Sequence, residues 1–271
     1  MFESFLASSS SHQARHLTTI VLIAILLTLA TSVKAALPDE IQVYMDDFNP
    51  PGRFDLKVHL NTTPSGIGTM AYPGEVLNKH GFRVTPELSY GLPHDLEIGL
   101  YLPMAFNPAG RLDLAGEKIR LKWMPVHPRD GVAGWYAGAN VELSRIKSQY
   151  ELSRWGGELR LIAGYHAQDW LLGINVTPAW ELARVTREGI PNLGVSFKGS
   201  YKLTDGIWLG AEYYADFGSI HHPQSFQQQS HTVFGVLDFD IKPFVFSLGV
   251  GRGLTTGSDG WTVKAIIEVP F

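Results

Sequence analysis

The sequence predicts an all-β fold, a transmembrane antiparallel β-barrel of about 12 strands (10–14). Three observations predict it. Apolar and polar residues alternate through segments of about ten residues, the length a tilted strand needs to cross a bilayer. The connections between segments alternate between short and long. All seven tryptophans fall within a few residues of a predicted strand end.

Composition bounds the alternatives. The chain has 271 residues, 45% hydrophobic and 18% charged, which excludes a disordered chain. A formal net charge of −4 argues against a nucleic-acid partner. With no cysteine there is no disulfide scaffold, thiol nucleophile or Cys-ligated metal. Nothing calls for a cofactor.

Residues 1–35 read as a secretory signal peptide. Arg15 precedes the apolar run Leu17 to Ala30, which ends in a V-x-A site at Val33–Ala35. As a helix that run spans only about 21 Å, short of the ~30 Å hydrocarbon core. Residues 36–52 are expected as a periplasmic N-terminal segment and 53–271 as an outer-membrane barrel.

The strands follow in order over 53–62, 81–91, 94–104, 114–124, 133–143, 155–166, 169–182, 191–202, 206–217, 231–240, 242–251 and 261–271. In the first, Phe54, Leu56, Val58 and Leu60 alternate with Asp55, Lys57, His59 and Asn61. No helix places these apolar residues on one side. In the last, Trp261, Val263, Ala265, Ile267, Val269 and Phe271 form the apolar face. Tight links such as Leu92-Pro93 and Ala167-Gln168 follow even strands, with 125–132 a longer exception. Long polar loops such as 63–80 and 144–154 follow odd ones. That asymmetry marks an outer-membrane barrel.

The apolar parity carries no charge in its central span, where one costs roughly 2–4 kcal/mol on the lipid side. Trp123, Trp135, Trp155, Trp170, Trp180, Trp261 and Phe271 are placed at the membrane interface. Trp208 has the opposite parity. A soluble sandwich or lipocalin-like barrel also alternates, but the export signal, even strand count and tryptophan placement favour the membrane form. Outer-membrane lipid is the expected surrounding. The terminal Phe271 resembles the C-terminal signature that barrel-assembly machinery reads.

Residues 87–103, ELSYGLPHDLEIGLYLP, carry Glu87, Tyr90-Gly91-Leu92, Asp95, Glu97, Gly99-Leu100 and Pro103, and 201–210 repeat the hairpin logic. These residues resemble an element of a Gram-negative outer-membrane barrel family associated with the meta-pathway of phenol degradation. The resemblance covers two hairpins and implies uptake of small, often hydrophobic or aromatic solutes. It supplies no catalytic motif.

The inward parity holds nine basic residues (Lys57, Arg83, Lys118, Arg120, Lys122, Arg160, Lys198, Lys202, Lys264) and nine acidic ones (Asp55, Glu87, Glu97, Glu142, Glu158, Glu181, Glu212, Asp238, Glu268). Equal numbers predict no strong ion preference. The sharpest feature is the Lys118-Arg120-Lys122 ladder between strands carrying Glu97 and Glu142, read either as a pore lining or as a salt-bridged filling. With Lys57, Arg83, Glu87, Glu158, Arg160 and Glu212 these residues are the candidate lining.

A passive channel or uptake protein in the cell outer membrane is therefore expected. A structural or adhesive barrel without conduction and a lipid-modifying enzyme are the alternatives. The enzyme needs a serine and histidine in reach, yet His59 and Ser89 fall toward opposite ends of neighbouring strands. The loop Thr62–Gly81 is a candidate gate or partial plug.

Overall fold

A computed structural model of the chain describes residues 39–107, 109–128, 132–183 and 190–271. The signal-peptide expectation for 1–35 lies outside the described residues. The alternating segments form β1 (Phe54–Ser65), β2 (Phe82–Leu92), β3 (Leu96–Tyr101), β4 (Met104–Phe106), β5 (Leu112–Leu114), β6 (Gly116–Val126) and β7 (Gly134–Ile146). They continue as β8 (Trp155–His166), β9 (Trp170–Glu181), β10 (Asn192–Thr204), β11 (Ile207–Ser219), β12 (Ser230–Ile241), β13 (Phe244–Gly253) and β14 (Trp261–Pro270).

These fourteen segments make twelve staves. β3 and β4 are one stave, broken at Leu102-Pro103, and both pair with β2. Pro103 cannot donate to a ladder, but its carbonyl accepts from Ala115 at 2.7 Å. β5 and β6 form the next stave, bent at Ala115. Every pairing between these strands is antiparallel, and β1 bonds to both β2 and β14, so the sheet closes into a barrel in which the short β5 pairs on one side, with β4.

Closure gives each parity a side. Leu100, Ile119, Leu121, Val141, Leu143 and Leu161 stand exposed on the outer wall. The inner wall buries Lys57, Glu87, Arg120, Lys122, Asn175 and Glu212. A water-soluble protein inverts this arrangement, so the exterior is a hydrocarbon-facing band. Trp123, Trp135, Trp170 and Phe271 ring the short-turn rim. Trp155, Trp180 and Trp261 ring the long-loop rim. At the first rim Phe54 stacks on Phe271 at 5.9 Å and Trp170 packs on Tyr201 at 4.8 Å. Trp208 pairs with Lys202 and Asp238 and so faces inward.

One expectation is corrected. Residues 39–49, assigned with 36–52 to a periplasmic tail, lie inside the barrel. Asp39, Val43, Tyr44 and Met45 are buried there among inward side chains. The segment is acidic, with Asp39, Glu40, Asp46 and Asp47 and no cation. The lumen offers it buried ammonium and guanidinium groups.

Candidate functional site in the barrel lumen

β6 projects Lys118, Arg120 and Lys122 inward at successive levels, because residues two apart share a face. Its neighbours β3 and β7 supply carboxylates in register: Glu97 pairs with Lys122 and Glu142 with Arg120 along the ladders. The actual ion pairs are diagonal. Arg120 donates to Glu97 at 2.8 Å and to Glu87, on β2, at 2.5 Å. Lys118 reaches Glu142 at 3.2 Å and Asp39 of the segment at 2.9 Å. His59 meets the other Glu87 oxygen at 3.0 Å. On β1, Lys57 lies 3.3 Å from Glu268 and 3.1 Å from Asp47.

A second network spans the far wall. Lys264 donates to Glu212, and Lys198 bridges Asp238 at 2.7 Å and Glu212 at 3.3 Å. On β8, Arg160 pairs with Glu158 at 2.7 Å. Arg83 sits apart, near the long-loop rim, bonded to Asn78 at 2.6 Å.

The segment runs between these networks, from Asp39 at the level of Lys118 to Asn49 beside Glu97, at the short-turn end. Tyr44 is its centre. Its amide donates to Asn175 Oδ1 at 2.7 Å, and Asn175 Nδ2 donates to its carbonyl at 2.8 Å. Its hydroxyl meets Tyr101 at 2.8 Å and Glu40 at 2.5 Å. Three cations surround the ring: Arg160 at 4.4 Å, Lys122 at 5.3 Å and Arg120 at 5.4 Å. Val43, Met45, Met124, Tyr136 and Ile162 form the only buried apolar cluster around the segment among the described residues.

The wall is shaped to admit the chain. A Cβ on Gly91 would collide with the carbonyl oxygens of Asn49 and Pro50, and one on Gly173 with Met45 Sδ. The segment leaves through the exposed turn Pro50–Arg53, where Gly52 donates to the Gly91 carbonyl at 2.9 Å and Gly91 donates to that of Arg53 at 2.9 Å.

Above Tyr44 the lumen differs by side. Toward the long-loop rim, Glu158, Thr177, Ala179, Gly194, Ser196 and Asp216 on β8–β11 are half-buried, whereas Thr85, Glu87 and Arg120 on the other wall are buried. The inner face along β8–β11 is therefore less covered toward the long-loop rim than the wall of β2 and β6, above a filled waist. Residues 66–81 lie at the long-loop rim. Val76 donates to the Gln149 carbonyl at 2.8 Å and Ile67 to Asp259 at 2.9 Å. Burial there, reinforced by Glu75 and Glu151, pushes the Tyr72 phenol up to about 12.

Every candidate lining residue except Arg83 thus lies at or near the waist or on the less covered face above it. The ladder and its partners Glu97 and Glu142 are brought together. Sequence reasoning missed Tyr44, Asn175, Tyr101 and the acids of the segment. The lone signal for them was four carboxylates without a cation in 36–52. His59 and Ser89 do not meet: His59 holds Glu87, and Ser89 accepts from Asn49 at 2.8 Å.

No family model and no curated protein matches the sequence. Among solved structures the chain is similar to the COG4313 outer membrane channel from Pseudomonas putida F1, with TM-score 0.57 and 14% identity over 86% of this chain and 100% of that one. It is also similar to the KdgM porin (TM-score 0.52, 9% identity, 80% and 99% covered) and the NanC porin (0.50, 10%, 80% and 98%). At these identities the likeness is one of fold: a closed barrel of the kind that spans outer membranes.

Proposed function

We propose that this chain is a passive outer-membrane channel for small molecules, narrowed at its waist by residues 39–49. The observation that carries the reading is the half-covered inner face of β8–β11 toward the long-loop rim, above a ring of charged side chains around Tyr44. The similar folds of a channel and two porins support it. Lys118, Arg120, Lys122, Glu97, Glu142, Lys57, Glu87, Glu158, Arg160 and Glu212 are the proposed lining of the waist and its approaches, with Arg83 at the mouth. The nine basic and nine acidic wall residues balance, and the four carboxylates of residues 39–49 leave a modest negative excess, so the channel favours cations weakly. Lumen groups serve passage, not catalysis. The surrounding phase is outer-membrane lipid, and β14, ending in Phe271, is the strand offered to the assembly machinery.

The hairpin resemblance at 87–103 narrows the solutes to small hydrophobic or aromatic compounds. Planar-bilayer recording of the full chain, with liposome swelling in sugars, amino acids and aromatic acids, tests the reading. Small, weakly selective conductance and swelling that favours aromatic acids are expected. Neutralising Lys118, Arg120 and Lys122 together should change conductance or selectivity, and no change in either removes them from the lining. The fullness of the waist favours one second reading, a structural barrel without conduction, which silent bilayers would select.

A further inference from the structure

Five of the hydrogen bonds that hold residues 39–49 fall on the main chain of that segment. The segment forms neither helix nor strand, so its peptide groups need partners from elsewhere. Inward side chains supply them at four places. Asn175 takes both the amide and the carbonyl of Tyr44, at 2.7 and 2.8 Å, the two-point pairing that a neighbouring strand would make. Lys264 donates to the Ile41 carbonyl at 2.9 Å, and Lys122 to that of Asp47. Glu97 accepts from the Asn49 amide at 2.7 Å. Asn175 is fully buried, so its amide is committed to this use.

Side-chain contacts add selectivity at fixed spacing. The Tyr44 ring lies among three cations. An acid five residues before it meets Lys118, and acids two and three residues after it meet His166 at 2.9 Å and Lys57 at 3.1 Å. Gly91 and Gly173 leave the space the backbone occupies. A lumen filled merely by excess chain would satisfy charges without reading peptide groups in register.

We propose that the lumen is a receptor site for an extended acidic peptide with a central tyrosine, and that residues 39–49 are its tethered ligand. Once the tether is cut, the same peptide supplied as a separate molecule occupies the site. The proposal concerns binding, and it holds whether or not the barrel conducts.

The exposed turn Pro50–Arg53 allows the test on the full chain. A site-specific protease sequence is inserted between Pro51 and Gly52, the protein is folded in detergent, cut, and washed at high salt. Mass spectrometry reads whether the fragment stays, and fluorescence anisotropy reads binding of a labelled peptide of residues 39–50. The expected result is that the severed fragment is retained, or that it leaves and the labelled peptide binds saturably in its place. Three peptide changes should each weaken binding or displacement about tenfold or more: N-methylation of the Tyr44 amide, Tyr44→Leu, and a scramble of equal composition. These need no change in the barrel, so folding of a variant is not at issue. Loss of the fragment without rebinding overturns the proposal. So does equal binding of the scrambled or N-methylated peptide, which would reduce the interaction to charge attraction.

Discussion

The wall formed by β1, β2, β3 and β6 and the wall formed by β8–β11 carry the same alternating pattern, yet their inner faces differ. On the first, inner residues are sealed: Thr85, Glu87, Glu97, Arg120 and Lys122 are buried. On the second, the inner face toward the long-loop rim is only half covered. The difference comes from what lies against each wall. Residues 39–49 cross between the two walls, meeting Lys118 and Glu97 on the first and Arg160 and Asn175 on the second. The diagonal ion pairs seal the first wall further, where Gly194, Ser196 and Asp216 on the second stay half-buried. Parity decides which way a side chain points, and the occupant of the lumen decides whether it meets water.

Substitutions that strike the two walls differently break or sharpen this contrast. The largest effect is expected at Arg120→Met, which strands the buried carboxylates Glu87 and Glu97. Breaking a buried ion pair from one side costs roughly 3–5 kcal/mol, read as a lower urea midpoint. Arg160→Met on the opposite wall leaves Glu158 partly exposed to water but also removes the nearest cation over the Tyr44 ring, and the cost falls to roughly 1–3 kcal/mol. Equal shifts would erase the contrast. Next is Leu121→Lys, which puts on the lipid face the charge that positions 120 and 122 carry inside. A cost of roughly 2–4 kcal/mol in lipid-vesicle unfolding is expected, and a neutral result would mean that the outer face is not in hydrocarbon.

Tyr44→Ala removes the ring at the centre of the waist while leaving both walls intact, so conductance should rise several-fold. Gly91→Val acts on the same segment from outside, by driving a side chain into Asn49 and Pro50, and should raise conductance less. The smallest effect belongs to the exposed turn after β10. There a hydrogen bond from Lys202, at 2.6 Å, holds the Asp205 carboxyl below its ordinary range. Such a pair contributes above the unfolded-state value and fades as pH falls through the lowered one. Because Asp205 is nearly fully exposed, Lys202→Ala should leave the unfolding midpoint unmoved at neutral pH.

Much of this barrel is legible in its sequence. The alternation at Phe54–Leu60 or Trp261–Phe271 reports one face for hydrocarbon and one for the lumen, because strand geometry fixes side-chain direction at every second residue. Twelve staves followed from it, although Leu102-Pro103 splits one of them into β3 and β4. The ladder Lys118-Arg120-Lys122 found its partners Glu97 and Glu142 on adjacent staves, as register requires. Tyr44 and Asn175 were not legible, because their meeting joins residues 131 apart across the lumen. A periodicity read along strands carries no information about a chain that crosses between them. The four carboxylates of 36–52, with no cation among them, were the trace that segment left.

The most direct test uses the absence of native cysteine. Ser196→Cys on β10 and Thr85→Cys on β2 both point inward, one on the half-covered face and one on the sealed face. A small methanethiosulfonate reagent added to each folded variant should modify Ser196→Cys quickly and lower its conductance, while Thr85→Cys stays unreacted. Equal modification at the two positions, or faster reaction at Thr85→Cys, would contradict an inner face sealed along β1, β2, β3 and β6 and half open along β8–β11.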